Sequence, residues 1–241
     1  MNNFHGFLTP AGTSPVSARE MREIEDWNAE VGITRLLMME NAGAEIARFV
    51  VDVLISKLDR PKSDSEKIKV LLVAGTGNNG GDVFVAFRHL MSWKERLDIK
   101  LILLGKATDI KAEEALHNWK IISSITKGCV DEVSTTEEVH SLRREVGLSH
   151  ILIVGIFGTG FKGVPRDLQR QAIEVLNSDQ SAIVVSVDVP SGLESDTGKF
   201  ELAVQSDYTI TMARPKIGMV STPEAKRICG EIIVANIGIL E

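Results

Sequence analysis

The residues best suited to chemistry lie in one glycine-rich stretch. An apolar run over 67–74 is followed by Gly75-Thr76-Gly77-Asn78-Asn79-Gly80-Gly81-Asp82, and an apolar-periodic segment begins directly afterwards. This order predicts a strand, a tight turn and a helix, with free backbone N–H groups at the start of the helix. Such N–H groups bind anions, and the Asn and Asp side chains add further donors and acceptors. The stretch is therefore predicted to bind a polar or anionic ligand.

Two common phosphate-binding motifs do not fit this stretch. It contains a G-x-G-x-x-G pattern, but the acidic residue that would bind a ribose is missing, because the predicted strand 99–104 is followed by Gly105-Lys106. A Walker A loop would need Lys and Ser or Thr where this chain has Gly81-Asp82. A plain connector is the remaining alternative, and it is disfavoured because the glycines cost backbone entropy.

Two further polar turns follow predicted strands. Asp188 comes directly after the apolar run 182–187, and Gly158-Thr159-Gly160 follows the apolar run 151–154. The carboxyl ends of parallel strands meet at one edge of a sheet, where ligands bind in open α/β folds. The three turns are therefore predicted to form one site. A carboxylate at this edge suits general acid–base catalysis, although an Asp ahead of Pro190 can also serve only as a cap or turn residue.

These polar segments, in this order, resemble the YjeF N-terminal domain family, the NAD(P)H-hydrate epimerases. The resemblance spans roughly Ser17 to Leu240. The matching segments are Asn78-Asn79-Gly80-Gly81-Asp82, Phe157-Gly158-Thr159-Gly160, Asp188-Val189-Pro190-Ser191-Gly192, Leu37-Met38-Met39-Glu40-Asn41-Ala42-Gly43, Asp207-Tyr208-Thr209-Ile210-Thr211 and Pro215-Lys216-Ile217-Gly218. The resemblance implies an isomerase that interconverts the R and S epimers of hydrated NADH and NADPH (NADHX and NADPHX) in nicotinamide nucleotide repair.

The resemblance also implies roles for single residues. Asp188 would be the catalytic residue and would contact the substrate. The other substrate-binding residues would be Asn78, Asn79, Gly80, Gly81, Asp82, Gly158, Thr159, Gly160, Phe161, Lys162, Gly163 and Val164. Lys216 would add a point charge near the phosphates, or else would be a solvated surface lysine.

One potassium ion is implied as well. Asn79 and Ser191 match two of the family's potassium ligands, and neutral oxygens suit a weakly hydrated monovalent ion. The family has an aspartate four residues before the Gly-Thr-Gly turn as a third ligand, where this chain has Val154. We therefore expect a weaker response to potassium than in relatives that carry the aspartate.

The implied reaction needs acid–base catalysis and no redox step. In the hydrated nicotinamide ring, a hydroxyl sits on the carbon next to the ring nitrogen. The nitrogen lone pair can expel this hydroxyl to leave a planar iminium, and water can return on either face. One carboxyl group could protonate the departing oxygen and deprotonate the arriving one, and Asp188 is the residue expected to do so.

Two other functions stay open at this point. The fold could serve as a non-catalytic nucleotide-binding or scaffold module, and loss of an ion ligand is a plausible start of such a drift. An NAD-dependent dehydrogenase is disfavoured by the missing ribose-binding acid. Because the family's dehydratase domain does not follow within the 241 residues, we expect a separate NAD(P)H-hydrate dehydratase as the functional partner. A homodimer stays open.

Composition argues against several other classes. A formal net charge of −6 offers no basic surface for nucleic acid. No apolar run approaches the roughly 18 residues of a membrane-spanning helix. The N-terminus lacks the apolar core of a secretory signal, and the two isolated cysteines, Cys129 and Cys229, suit a reducing compartment. We therefore expect a cytoplasmic protein.

The remaining sequence predicts the elements that position the site. Strands are predicted at 68–74, 99–104, 151–154, 182–187, 208–212 and 232–235, with a weaker one near residue 130. Helices are predicted at 17–29, 34–57, 81–93, 110–126, 136–146 and 165–177, with a polar connector at 59–66. This alternation indicates an α/β fold, a Rossmann-like three-layer sandwich with a mostly parallel central sheet and helices on both faces. We expect a flexible N-terminal arm over 1–16 and a single domain over 17–241.

Overall fold

A seven-stranded sheet forms the centre of the computed structural model, which describes residues 14–55, 67–126, 128–178 and 181–240. The strands are β1 Ile68–Ala74, β2 Leu97–Leu104, β3 Val130–Val133, β4 Ile151–Gly155, β5 Ile183–Val187, β6 Tyr208–Met212 and β7 Glu231–Ala235. Their order in the sheet is β3-β2-β1-β4-β5-β6-β7. Every pair of neighbouring strands among the described residues is parallel.

Helices cover both faces of this sheet. They are α1 Ala18–Glu30, α2 Arg35–Phe49, α3 Asn78–Leu90, α4 Glu113–Ile125, α5 Val139–Val146, α6 Asp167–Leu176, α7 Ile217–Val220 and α8 Pro223–Cys229. One apolar core joins one face of the sheet to α2, α3 and α4, and a second joins the other face to α5 and α6. The strands alternate between the cores, because successive side chains of a strand point to opposite faces. In β1, for example, Leu72 belongs to the first core and Leu71 to the second.

The structure confirms the predicted α/β fold and refines the boundaries of its helices. The helix predicted from residue 81 begins at Asn78, so the Asn-Asn-Gly-Gly-Asp segment lies within α3 rather than before it. The helix predicted over 34–57 is α-helical only as far as Phe49 and continues as a π-helix over Val50–Leu54. The short helices α7 and α8 were not predicted. The connector predicted at 59–66 lies outside the described residues.

The described N-terminal part of the chain is tied to the body of the protein. Val16, which falls within the arm predicted over 1–16, is buried and forms a parallel bridge with Lys216. Its backbone N–H donates to Pro215 O at 2.9 Å, and its carbonyl accepts from Ile217 N at 3.0 Å. The packed part of the chain therefore includes Val16. Helix α1 follows, with the predicted capping box between Ser17 and Glu20. Within the described ranges, no helix is long and apolar enough to cross a membrane.

Candidate active site

A cavity of about 800 Å³ opens at the carboxyl ends of the central strands. Strands β1 and β4 are neighbours in the sheet, and the order of the strands along the chain reverses between them. Ligands of open α/β sheets bind at such a reversal. The turns after β1, β4 and β5 all contribute to the wall of the cavity, through Gly75, Gly158 and Asp188 among others. The predicted convergence of the three turns is therefore present in the structure.

The start of α3 forms one wall of this cavity. Its N-cap residue is Gly77, and no side chain caps the helix there. The first N–H groups of the helix are consequently available to a ligand, as the first turn of a helix has no internal partners for them. The preceding turn is very tight, since a methyl group added at Gly80 would lie 1.9 Å from the carbonyl oxygen of Gly75. Gly80 is needed for this close backbone approach.

Asn79 connects α3 to the turn after β4. Its side-chain Nδ2 donates to the carbonyl oxygen of Phe157 at 2.6 Å. Its side-chain Oδ1 is buried and has no hydrogen-bond donor among the described residues. A buried amide oxygen without a partner is costly, so this atom is suited to a ligand or a cation. A methyl group at Gly158 would lie 3.3 Å from Asn79 Cβ, which places the two turns in contact.

Ser191 holds the same turn from the other side. Its fully buried hydroxyl accepts hydrogen bonds from Ile156 N at 3.1 Å and from Phe157 N at 3.0 Å. Both lone pairs of a hydroxyl are used when it accepts two hydrogen bonds. Val154 is fully buried in the core shared with α5 and α6. Of the three positions at which the family resemblance implies a potassium ligand, only Asn79 therefore offers a free oxygen, and the residues present do not form a complete potassium site.

Asp188 lies at the end of β5, in a left-handed backbone conformation with φ of 64°. Its backbone N–H donates to Ile210 O at 2.7 Å, which fixes the turn beside β6. Its Oδ1 accepts a hydrogen bond from the ammonium group of Lys216. Its Oδ2 faces the turn after β4, because a methyl group at Gly158 would lie 3.7 Å from that oxygen. One carboxyl oxygen is thus held by the protein while the other faces the cavity.

Lys216 is not at the surface, which is one of the two places considered for it from the sequence. It is 1% exposed, and its Nζ contacts Asp188, Thr211 Oγ1 at 2.9 Å and Met212 O at 3.1 Å. An ammonium group has three protons to donate, and the three acceptors account for them. The lysine is therefore a structural partner of Asp188.

Two further carboxyl groups share the cavity with Asp188. Burial raises the pKa of Asp82 well above its ordinary value, with further increases from the negative charges of Asp188 and Glu25. Burial likewise raises the pKa of Glu25, followed by the effect of Asp188. Lys216 acts in the opposite direction on both. The cavity therefore contains two acids, Asp82 and Glu25, whose pKa values lie above those of solvated carboxyl groups.

The predicted substrate-binding residues divide into two groups in the structure. Those that line the cavity are Asn78, Asn79, Asp82, Gly158, Thr159, Gly160, Phe161, Lys162 and Asp188. Those that do not line it are Gly80, Gly81, Gly163 and Val164. Gly81 faces the packing between helices instead, since a methyl group there would lie 2.6 Å from Met39 Cε.

Hydrogen bonds and a ring contact hold the turn after β4 in place. Ser195 Oγ donates to the carbonyl oxygen of Thr159 at 3.0 Å, and Glu194 Oε1 accepts from Gly163 N at 2.9 Å. The rings of Phe157 and Phe161 are stacked, with centroids 4.5 Å apart. These contacts hold the turn in place before any ligand binds, which lowers the entropy lost on binding.

Sequence reasoning missed the contribution of α1. Met21, Arg22 and Glu25 of this helix line the cavity. The capping box at Ser17 predicted the helix itself, yet nothing in the sequence indicated where it would dock. The chain end was missed as well, since Ile237 also lines the cavity.

An all-parallel sheet with helices on both faces, and with a cavity at the reversal of strand order, defines a Rossmann-like α/β protein. The chain belongs to the family described as YjeF-related protein N-terminus, whose model matches residues 35–218. The structure is similar to a crystal structure of yeast ynu0, with a TM-score of 0.68 over 88% of this chain and 85% of that one, at 24% identity. That likeness supports the fold.

Curated relatives carry two kinds of name. The NAD(P)H-hydrate epimerase of Cenarchaeum symbiosum is 34% identical over 226 residues, which cover 93% of this chain and 95% of that protein. The NAD(P)H-hydrate epimerase of Elusimicrobium minutum is 33% identical with the same coverage. The bifunctional NAD(P)H-hydrate repair enzyme Nnr of Archaeoglobus fulgidus is 35% identical over 231 residues, 94% of this chain. This chain spans only 42% of the length of that bifunctional relative.

Proposed function

We propose that this protein is an NAD(P)H-hydrate epimerase, an isomerase that interconverts the R and S epimers of hydrated NADH and NADPH. The observation that carries the proposal is the carboxyl group of Asp188. Its Oδ1 is fixed by a buried ammonium group, and its Oδ2 faces the cavity beside Gly158. Relatives with this name match the chain over nearly their whole length. The cavity of about 800 Å³ is large enough for most of a dinucleotide.

The start of α3 and the turn after β4 are the proposed binding site for the diphosphate and ribose groups. Both present backbone N–H groups, and oriented N–H groups at a helix start bind phosphate oxygens. Lys162 and Arg22 line the same cavity and can offset the charge of the phosphates. The nicotinamide ring is proposed to lie near Asp188, which lines the same cavity.

The proposed reaction proceeds at the carbon next to the ring nitrogen. The lone pair of the nitrogen forms a C=N bond as the C–O bond breaks, and the hydroxyl leaves as water after it gains a proton. Water then adds to either face of the planar iminium and loses a proton. Asp188 is the residue proposed to exchange protons with these oxygen atoms, and general acid–base catalysis contributes about 10²–10⁴-fold in rate.

The proposed function does not require a bound potassium ion. Asn79 Oδ1 is the only side-chain oxygen without a donor at the three positions considered. One neutral ligand with backbone carbonyls gives weak binding of a monovalent ion, and no step of the proposed reaction depends on it. Among the described residues, no group of three or more His, Cys, Asp or Glu side chains could hold a metal ion.

A separate NAD(P)H-hydrate dehydratase is the proposed functional partner, because the epimerase makes the non-preferred epimer available to such an enzyme. The bifunctional relatives are named as repair enzymes and are more than twice as long as this chain. A cytoplasmic location and a homodimer belong to the same proposal.

A coupled assay tests the proposal. The purified protein is mixed with both epimers of hydrated NADPH and a dehydratase that accepts only one of them. If the protein is an epimerase, the second epimer is consumed at a rate that rises with the concentration of the protein. Consumption of half of the mixture only, with NADPH still bound in calorimetry, favours the non-catalytic binding module instead.

A further inference from the structure

The three carboxyl groups that line the cavity outnumber the single fully buried ammonium group among the described residues. Glu25 comes from α1, Asp82 from α3 and Asp188 from the end of β5, and all three line the cavity. Lys216 is the fully buried cation beside them. The three acids therefore have different surroundings, and these surroundings decide which acid carries a proton.

Lys216 is committed to one of these acids. Its Nζ donates to Asp188 Oδ1, to Thr211 Oγ1 and to the carbonyl oxygen of Met212. Because all three protons of the ammonium are used, none remains for Asp82. The buried positive charge therefore lies against Asp188, which leaves Asp188 as the candidate for the base.

Asp82 has the opposite surroundings. Its side chain is half-buried, and within the described residues it accepts no hydrogen bond and forms no ion pair. A carboxylate without a donor in such a place is costly, so the neutral acid is favoured. Burial, then the charges of Asp188 and Glu25, raise the pKa of Asp82 well above its ordinary value. Asp82 is thus held as an acid.

The two groups face a common space. Asn79 and Asp82 are three residues apart on α3 and lie on one face of the helix. Asn79 contacts the turn at Gly158, and that turn lies against Asp188 Oδ2. Asp82 therefore lines the cavity from α3, and Asp188 lines the same cavity from the end of β5.

We propose that Asp82 is a second catalytic residue, which gives a proton to the departing hydroxyl while Asp188 takes a proton from the arriving water. The proposal rests on the epimerase function proposed above and assigns the acid and the base to different residues. As the C–O bond breaks, the Asp82 proton goes to the hydroxyl oxygen and the nitrogen lone pair forms the C=N bond. Water then adds on the side of Asp188, the C=N electron pair returns to nitrogen, and Asp188 receives the proton. Water in the cavity returns this proton to Asp82.

Oxygen exchange distinguishes a mechanism with two catalytic carboxyl groups from a mechanism with one. The assay follows both the configuration of the hydrate and the entry of ¹⁸O from labelled water, in the wild type and in the Asp82→Asn variant. The amide has the charge and nearly the shape of the neutral acid, so folding and NADP binding should be kept. We expect Asp82→Asn to lose epimerisation, and oxygen exchange of the epimer whose hydroxyl faces Asp82, by about 10²–10⁴-fold.

The Asp188→Asn variant gives the complementary result. Asp82 can still protonate the hydroxyl of one epimer, and its carboxylate can take the proton from water that returns on the same side. One epimer should therefore exchange its oxygen with its configuration retained, while inversion is lost. If Asp188 alone did both tasks, Asp188→Asn would lose exchange and inversion together, and Asp82→Asn would keep both.

Glu25→Gln tests the competing assignment, since it removes the other cavity carboxyl whose pKa is raised by burial. Loss of exchange in Glu25→Gln with normal exchange in Asp82→Asn would move the acid to α1 and overturn the proposal. Epimerisation by Asp82→Asn at the wild-type rate would also overturn the proposal. A wild-type protein that neither epimerises nor exchanges the substrate would instead contradict the proposed function itself.

Discussion

Asp188→Asn should destabilise the fold as well as remove catalysis, because Lys216 is buried with Asp188 as its charged partner. Lys216 is 1% exposed, and the side chain of Asp188 is 15% exposed. Breaking a buried ion pair by neutralising one member costs about 3–5 kcal/mol. The remaining contacts of Lys216 with Thr211 Oγ1 and Met212 O are with neutral oxygens, which cannot replace the lost charge.

Proton loss from Lys216 sets an upper bound on the loss of stability in Asp188→Asn. A stranded lysine can become neutral, and for an ordinary lysine this costs about 4.6 kcal/mol at pH 7, but only about 2 kcal/mol at pH 9. The loss of stability in Asp188→Asn should therefore be about 3–4.6 kcal/mol at pH 7 and smaller at pH 9. The loss of stability becomes smaller as the pH rises, because the neutral form of the lysine is then easier to reach.

Urea unfolding of both proteins at pH 7 and pH 9 measures this difference. The matched control is Asp188→Asn combined with Lys216→Met, which removes the stranded ammonium and should recover part of the stability. A loss below about 1 kcal/mol at pH 7, or a loss that does not change with pH, would refute the assignment of Lys216 as a buried charged partner.

Three other changes test further parts of the structure. Gly80→Ala should cost about 1–3 kcal/mol or more in unfolding measurements, because its methyl group would meet Gly75 O at 1.9 Å. Gly77→Ala has nothing within 4 Å of the added methyl group, so an equal loss there would contradict the close-approach explanation. Ser191→Ala strands two backbone N–H groups and should lower stability by about 1–3 kcal/mol, and an unchanged midpoint in urea would argue against those hydrogen bonds. Melting temperature should respond weakly to potassium in the wild type and saturably, relative to lithium, in Val154→Asp, whereas strong potassium dependence of the wild type would mean that Val154 is not a lost ligand.

The convergence of the three turns could be predicted from the sequence. Continuous apolar strands predict a parallel sheet, and a parallel sheet brings the segments after β1, β4 and β5 to one edge whatever the details of packing. The position of the strands alone therefore placed the three turns, at Gly77, Gly158 and Asp188, at one edge of the sheet.

Side-chain partners could not be predicted in the same way. Lysines are rarely buried, and Lys216 is twenty-eight residues from the carboxylate that it contacts. Only the pairing of β5 with β6 and the bend at 213–216 bring the two together. Glu25 was missed for a similar reason, since a pattern along α1 predicts a helix and says nothing about which wall of the cavity it will form.

The glycines of the Asn-Asn-Gly-Gly-Asp segment show a third limit. The family resemblance implies substrate binding for them, where a missing side chain would let the backbone approach a ligand. In the structure Gly80 faces the carbonyl of Gly75, and Gly81 faces Met39. The same residue type serves a close backbone turn and a close helix contact, and only the packing distinguishes these uses.

The consumption of the second epimer tests the central claim most directly. Wild-type protein is added to both epimers of hydrated NADPH with a stereospecific dehydratase, and the remaining hydrate is separated by chromatography. The proposed function predicts that the second epimer disappears at a rate proportional to the added protein, and that Asp188→Asn slows this by about 10²–10⁴-fold under conditions where it is folded. Persistence of the second epimer at every concentration of folded wild-type protein would contradict the claim.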